Sequence, residues 1–268
     1  MTDLGQWTTW MRAGGHSPAT IRTRTCGMHT LCRHAGVERA AELRPEQIAD
    51  WLSACRNGHT RLTYWQTARS WATWAVSHDV IGADPTADLT RPRTPRTSPR
   101  PVSDDIVAEL ITTATRPVKV YAALAAYAGL RVHEIAKVRG EDVDLTSSGW
   151  LYVDGKGGRQ AMIPLHPVLA RMADDMPPVE YWFPGRDNGH VSGAWVSARV
   201  RQALRDIGSG ATAHQLRHSF GTAVLRSTHD LRVTQELLRH ASPASTAIYT
   251  QVADLDKIAA VNSLGWVA

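Results

Sequence analysis

The stretch RPRTPRTSPRP, Arg91 to Pro101, packs four prolines and four arginines into eleven residues. Each proline lacks an amide donor and pushes the residue before it away from helical angles, so neither a helix nor a central strand can cross this stretch. The arginines keep it solvated and extended. The 268-residue chain is therefore expected to fold as two bodies, residues 1–90 and 102–268, around an interdomain linker at 91–101.

Charge divides at the same place. Residues 1–101 hold 13 arginines, no lysine and 8 acidic residues, a net of 13 − 8 = +5, whereas residues 102–268 hold 17 basic and 17 acidic residues and balance. A basic module beside a neutral one suits a polyanionic partner such as DNA. The N-terminus lacks a basic region followed by an apolar run, and VYAALAAYAGL is too short to span a bilayer, so a cytoplasmic protein without a membrane partner is expected.

The first body reads as a helical bundle. Ser17 and Pro18 open a helix that Gly36 closes, with Ile21, Met28, Leu31, Cys32 and Ala35 on one face. PEQIADWLSAC turns Ile48, Trp51, Leu52 and Cys55 inward, and RLTYWQTARSWATWAVSH turns Leu62, Trp65, Ala68, Ala72 and Ala75 inward. At helical spacing the tryptophans read as core rather than as base-stacking platforms. Cys26, His29 and Cys32 carry zinc-ligand side chains. On a helix, however, the two cysteines lie on different faces and no C-x-x-C pair exists, so the three cysteines, Cys55 included, are expected to be buried thiols.

The second body is mostly α with a small sheet. Ser103 caps one helix, and PVKVYAALAAYAG forms a buried one ending at Gly129. GWLYVD and RQAMIPL form a hairpin around GKGG. Helices follow in HPVLARMADDM, SGAWVSARVRQALRDIG, TAHQLRHSFGTAVLRS, DLRVTQELLRHA and DLDKIAAVNSLGW. The fold class is mainly α: a helical bundle plus a mostly α domain with a small β-hairpin.

Several side chains in this second body carry chemistry. Arg131 lies three residues before Glu134, in isolation a surface ion pair. His214 and Arg217 are three apart, His240 ends a helix, and Tyr249 follows nine residues later. Only four of the 30 lysines and arginines are lysines, yet one of them, Lys156, sits among the hairpin glycines. The acidic residues Glu141, Asp142 and Asp144 read as loop and helix-end surface, with no convergent carboxylate set to hold a metal.

Taken in order, Arg131, a hairpin lysine, His214 with Arg217, and His240 with Tyr249 resemble the signature of the tyrosine recombinases, the phage integrase family. GLRVHEI resembles the family's arginine–x–x–glutamate box and ELLRHASPASTAIYTQ its closing histidine-to-tyrosine box. The resemblance covers residues 102–268, and the bundle matches the family's core-binding domain more loosely. It implies a compact form without an N-terminal arm-binding domain, and a tail, 254–268, that docks on its own domain or on a neighbouring subunit. One departure is Arg239, where the family usually has glycine, which implies an altered turn or an added phosphate contact.

The reaction so implied is transesterification of a DNA phosphodiester without metal, ATP or other cofactor. Tyr249 attacks phosphorus and forms a 3′-phosphotyrosine, with His214 as its base. Arg131, Arg217 and His240 stabilise the non-bridging oxygens, and Glu134 supports Arg131. Lys156 protonates the departing 5′-oxygen, which arginine, always charged, does not do. Candidate DNA contacts are Arg22, Arg24, Arg33, Arg61, Arg69, Arg91, Arg93 and Arg96. The expected partners are double-stranded DNA core sites, three further copies in a homotetramer, and an accessory DNA-bending protein. Integration or excision of phage or mobile-element DNA is the leading role. A Xer-like chromosome or plasmid dimer resolvase or a transposase is the alternative, and a non-cleaving DNA-binding regulator a more distant one.

Overall fold

The computed structural model describes residues 3–94, 100–146, 149–154, 160–186 and 189–239. The chain divides into two compact units, 1–96 and 97–268.

The first unit is built from four helices among the described residues: α1 (Asp3–Ala13), α2 (Pro18–Ala35), α3 (Pro45–Ala54) and α4 (Gly58–Ser77). Local chemistry sets their ends. The Ser17 hydroxyl accepts the Thr20 amide at 3.2 Å, and Gly36, at φ 68, closes α2 in the left-handed conformation. Asn57 Oδ1 accepts the amides of His59 and Thr60 to start α4. Trp7, Met11, Met28, Leu31, Ile48 and Trp71 form a fully buried core.

Three sequence expectations change here. Helix α1 precedes the first helix anticipated at Ser17. Its N-terminus is pinned by buried Asp3, whose carboxylate accepts the amides of Leu4 and Ala41. In α4 the inward face carries Trp71 and Trp74 beside the anticipated alanines, while Leu62 and Trp65 are half-buried. Trp65 instead donates its indole N–H to the Leu89 carbonyl at 3.1 Å, under the segment that follows the helix. Of the cysteines, Cys32 is buried, Cys55 half-buried and Cys26 exposed. Six residues along an α-helix turn the chain well past one face, which carries Cys26 to the solvent side.

The second unit centres on α6 (Arg116–Tyr127), eight of whose residues are buried. Packed against it are α5 (Asp104–Thr113), α8 (Pro167–Ala173), α9 (Gly193–Asp206) and α10 (Ala213–Thr228). A one-turn helix, α7 (Val132–Ile135), lies on α9, and α11 (Leu231–Leu237) lies on α10. The strands β1 (Val143–Asp144), β2 (Trp150–Asp154) and β3 (Gln160–Pro164) form an antiparallel sheet in that order, with Leu151 opposite Ile163. Leu151, Val153 and Ile163 face the core, while Met162 points outward, as the period of two requires. A smaller ladder pairs β4 (Pro184–Gly185) with β5 (Gly189–His190). Among the described residues no helix is long and apolar enough to cross a membrane.

Candidate active site

The site begins where α6 stops. Gly129 has φ 58, and a Cβ there would lie 2.4 Å from the Phe220 ring. No other residue permits both the left-handed turn and the close seating of α10. Two residues on, Arg131 caps α7. Its backbone N–H donates to Glu134 Oε2 at 2.7 Å and its guanidinium to Glu134 Oε1 at 2.9 Å. The spacing of three, read in isolation as a surface pair, is something else in the fold. The Glu134 side chain is 3% exposed, and that of Arg131 is 35% exposed.

Helix α10 brings in Arg217, whose side chain is 2% exposed. Its guanidinium donates to the carbonyls of Gly129 and Leu238, and one nitrogen lies 3.8 Å from Glu134 Oε2. One helical turn N-terminal to it is His214, at the exposed surface, its ring edge-on to His218 with centroids 4.5 Å apart. Partial desolvation of its ring against the protein surface, then the charges of Arg217 and Arg131, lower the His214 pKa. The shift favours the neutral form of the imidazole.

A third arginine completes the cluster. Arg239 follows α11 at φ 52. It donates to the carbonyls of Leu237 at 2.8 Å and Gly129 at 3.0 Å, and to Glu134 Oε2 at 2.8 Å. The positive φ that glycine would supply is kept, and the guanidinium faces inward, 6% exposed. Sequence reasoning noticed Arg239 only as a departure from a pattern and did not place it in the site. Burial pushes the Glu134 carboxyl up, but Arg239, the Arg131 amide and the Arg131 charge outweigh it and hold the carboxyl below its usual range.

Of the six expected catalytic residues, the fold brings Arg131, His214 and Arg217 together. Lys156, His240 and Tyr249 lie outside the described residues, as does the tail at 254–268. Strands β2 and β3, which flank residues 155–159 in the sequence, pair from Trp150↔Pro164 to Asp154↔Gln160. Among the described residues no group of three metal-ligating side chains converges. Glu141 and Asp142 sit at a 3-10 turn, and Asp144 at the edge strand β1.

The sequence pattern of the phage integrase family matches residues 102–255. The chain belongs to this family, the tyrosine recombinases. These are enzymes that break and rejoin DNA strands, and the chain is one of them. It is 35% identical over 235 residues to tyrosine recombinase XerC of Xanthomonas campestris pv. campestris (strain B100), covering 83% of this chain and 69% of that protein. It is 37% identical to an integrase from mycobacterium phage Brujita, with TM-score 0.53, covering 96% of this chain and 90% of that one. A lambda integrase tetramer bound to a Holliday junction shares the fold at 16% identity and TM-score 0.75, over 92% of this chain and 76% of that one.

In the first unit of this tyrosine recombinase, the arginines singled out by sequence fall into distinct settings. Arg22, Arg33, Arg91 and Arg93 are exposed, and Arg96 lies outside the described residues. Arg24 and Arg69 line one groove between α2 and α4, together with the hydroxyls of Thr20, Thr23, Thr63 and Ser70. Arg69 also donates to the Thr86 carbonyl and lies 3.8 Å from Asp84. Arg61 gives two donors to the Cys55 carbonyl, where they close the end of α3.

Proposed function

We propose that this chain is a site-specific DNA recombinase whose transesterification is carried out by Tyr249, Arg131, Lys156, His214, Arg217 and His240. The observation that carries this reading is one buried carboxylate, Glu134, with Arg131 at 2.9 Å and Arg217 at 3.8 Å, and His214 one helical turn from Arg217 on α10. Fixed guanidiniums match the charge that grows on phosphate oxygens, and they need no reorganisation as it grows. Arg131, a third exposed, is the one ready to meet a phosphate as it stands.

The step balances on named groups. His214 accepts the Tyr249 phenol proton, the phenolate oxygen attacks phosphorus, and the bond from phosphorus to the 5′-oxygen breaks. Lys156 protonates that oxygen, leaving a 3′-phosphotyrosine and a 5′-hydroxyl. Because the phosphotyrosine ester conserves the phosphodiester energy, a second 5′-hydroxyl can reverse the step.

Residues 1–90 act in this reading as a core-type DNA-binding domain and 102–268 as the catalytic domain, joined by a linker at 91–101. The α2–α4 groove, with Arg24 and Arg69 beside hydroxyls, has the composition of a phosphate-backbone contact. The partner is double-stranded DNA and the working assembly a homotetramer, like the lambda integrase tetramer, with an accessory DNA-bending protein as a further partner. For the biological role, likeness to XerC favours a chromosome or plasmid dimer resolvase, reversing the order in which sequence alone ranked it against integration. Likeness to the Brujita phage integrase supports the second role, integration of phage DNA.

The test uses a pool of duplexes with randomised sequence around a nick, which loses its 5′-end on cleavage and so traps covalent protein. Wild-type chain is expected to form adduct on a recoverable subset, and Tyr249→Phe none while still binding those duplexes. Adduct formed by the phenylalanine variant would mean another nucleophile.

A further inference from the structure

We propose that Arg239 is a positioning residue for strand cleavage: through Glu134 and the Gly129 carbonyl it holds Arg131 and Arg217 in register. The proposal rests on the recombinase reading above and adds a residue to its machinery. Three connected observations support it. Arg239 and Arg217 donate to the same carbonyl oxygen, that of Gly129. Arg239 also shares Glu134 with both other arginines, at 2.8 Å against 2.9 Å for Arg131 and 3.8 Å for Arg217. Finally, it takes up φ 52, a conformation that L side chains rarely adopt. A side chain serving only to fill a turn would not be held there, 6% exposed, with its guanidinium inside the protein.

The geometry gives a division of labour. Glu134 Oε1 is engaged by Arg131, and Oε2 by the Arg131 amide and by Arg239. With Oε2 so occupied, Arg217 stands off at 3.8 Å and directs its hydrogen bonds to the carbonyls of Gly129 and Leu238. Without Arg239, Glu134 Oε2 becomes available to Arg217, which would be drawn toward the carboxylate and away from its present seat. The three cations therefore have fixed places because they compete for one anion and one carbonyl.

The experiment compares wild type, Arg239→Gly and Arg239→Lys on a trapping duplex recovered from the randomised pool. Glycine suits the backbone angle, so Arg239→Gly removes the guanidinium without adding strain. Its single-turnover adduct formation is expected to fall about 10–100-fold, as for a misplaced catalytic group, with duplex affinity unchanged. Lysine keeps the charge, but one ammonium cannot span two carbonyls and a carboxylate, so Arg239→Lys should be intermediate. The pH profile adds a readout that a merely structural arginine would not move. Loss of the nearest cation raises the Glu134 pKa, so the acid limb of cleavage should shift to higher pH in Arg239→Gly. In a double-mutant cycle, Glu134→Gln should absorb most of the Arg239→Gly effect.

Wild-type cleavage rate in Arg239→Gly, or costs that simply add in the cycle, would overturn the inference and leave the recombinase reading intact. Failure of the wild-type chain to form any adduct would overturn both. Should Arg239→Gly fail to fold, a wild-type rate and acid limb in Arg239→Lys would overturn the inference, and a slowed rate with a shifted limb would support it.

Discussion

A carboxylate at position 134 sits three residues from an arginine in sequence and among three arginines in space, and burial changes what that proximity does. An exposed pair of this spacing contributes little. Inside the protein, Glu134 is the counter-ion without which three guanidiniums would repel one another at low dielectric. The histidines of α10 show the complementary effect. Burial, then His214 and Arg217, lower the His218 pKa from 6.5 to about 4. The unfolded chain takes up a proton there that the folded chain refuses, so stability is lost as pH falls from about 6.5 toward about 4. Thermal melting followed across this range should show a falling Tm in wild type and a shallower fall in His218→Gln. Equal slopes would show that another group dominates.

Among the elements, the corner between α6 and α7 organises the site: Gly129 turns the chain, lets Phe220 approach and offers its carbonyl to Arg217 and Arg239. A methyl group at 129 meets the ring at 2.4 Å in a backbone conformation suited to glycine. Gly129→Ala should cost about 2 kcal/mol or more in urea denaturation, from overpacking and left-handed strain together. Cleavage should fall with it, because the displaced carbonyl anchors two arginines. Unchanged stability would mean that α10 can slide without cost. Much of the element level was readable in advance. The Ser17 and Gly36 caps, the buried helix ending at Gly129 and the pairing of β2 with β3 rest on local chemistry and short periods. Helix α1 and the inward Trp71 escaped notice because one short segment and one bulky side chain carry little periodic signal by themselves.

Over the full chain, charge is distributed asymmetrically, as suits a polyanionic partner. The first 101 residues carry 13 − 8 = +5 and the remaining 167 carry 17 − 17 = 0. Affinity for duplex DNA should fall with rising salt through counter-ion release, and a lost phosphate contact should flatten the log–log slope by about one. Arg24→Ala, in the α2–α4 groove, is expected to show this in fluorescence-anisotropy titrations at several salt concentrations. Arg61→Ala, whose donors close α3, should leave the slope unchanged and lower the stability of the first unit. The reverse pattern would relocate the DNA-binding face.

The order of Arg131, Lys156, His214, Arg217, His240 and Tyr249 along the chain was legible without coordinates through its resemblance to the family's motifs. Taken singly, Arg131 with Glu134 reads as a surface ion pair and His214 with Arg217 as a common spacing. The anion shared by Arg131 and Arg217 was not legible, since a spacing of three reads the same whether the pair is wet or dry. Nor was the place of Arg239, because residues 129, 134, 217 and 239 converge only when α6, α7, α10 and α11 pack, and packing is a sum over distant contacts that no local window contains. The residue types were written in the chain, but which carboxylate and which carbonyl hold them followed from packing, because burial makes those partners obligatory.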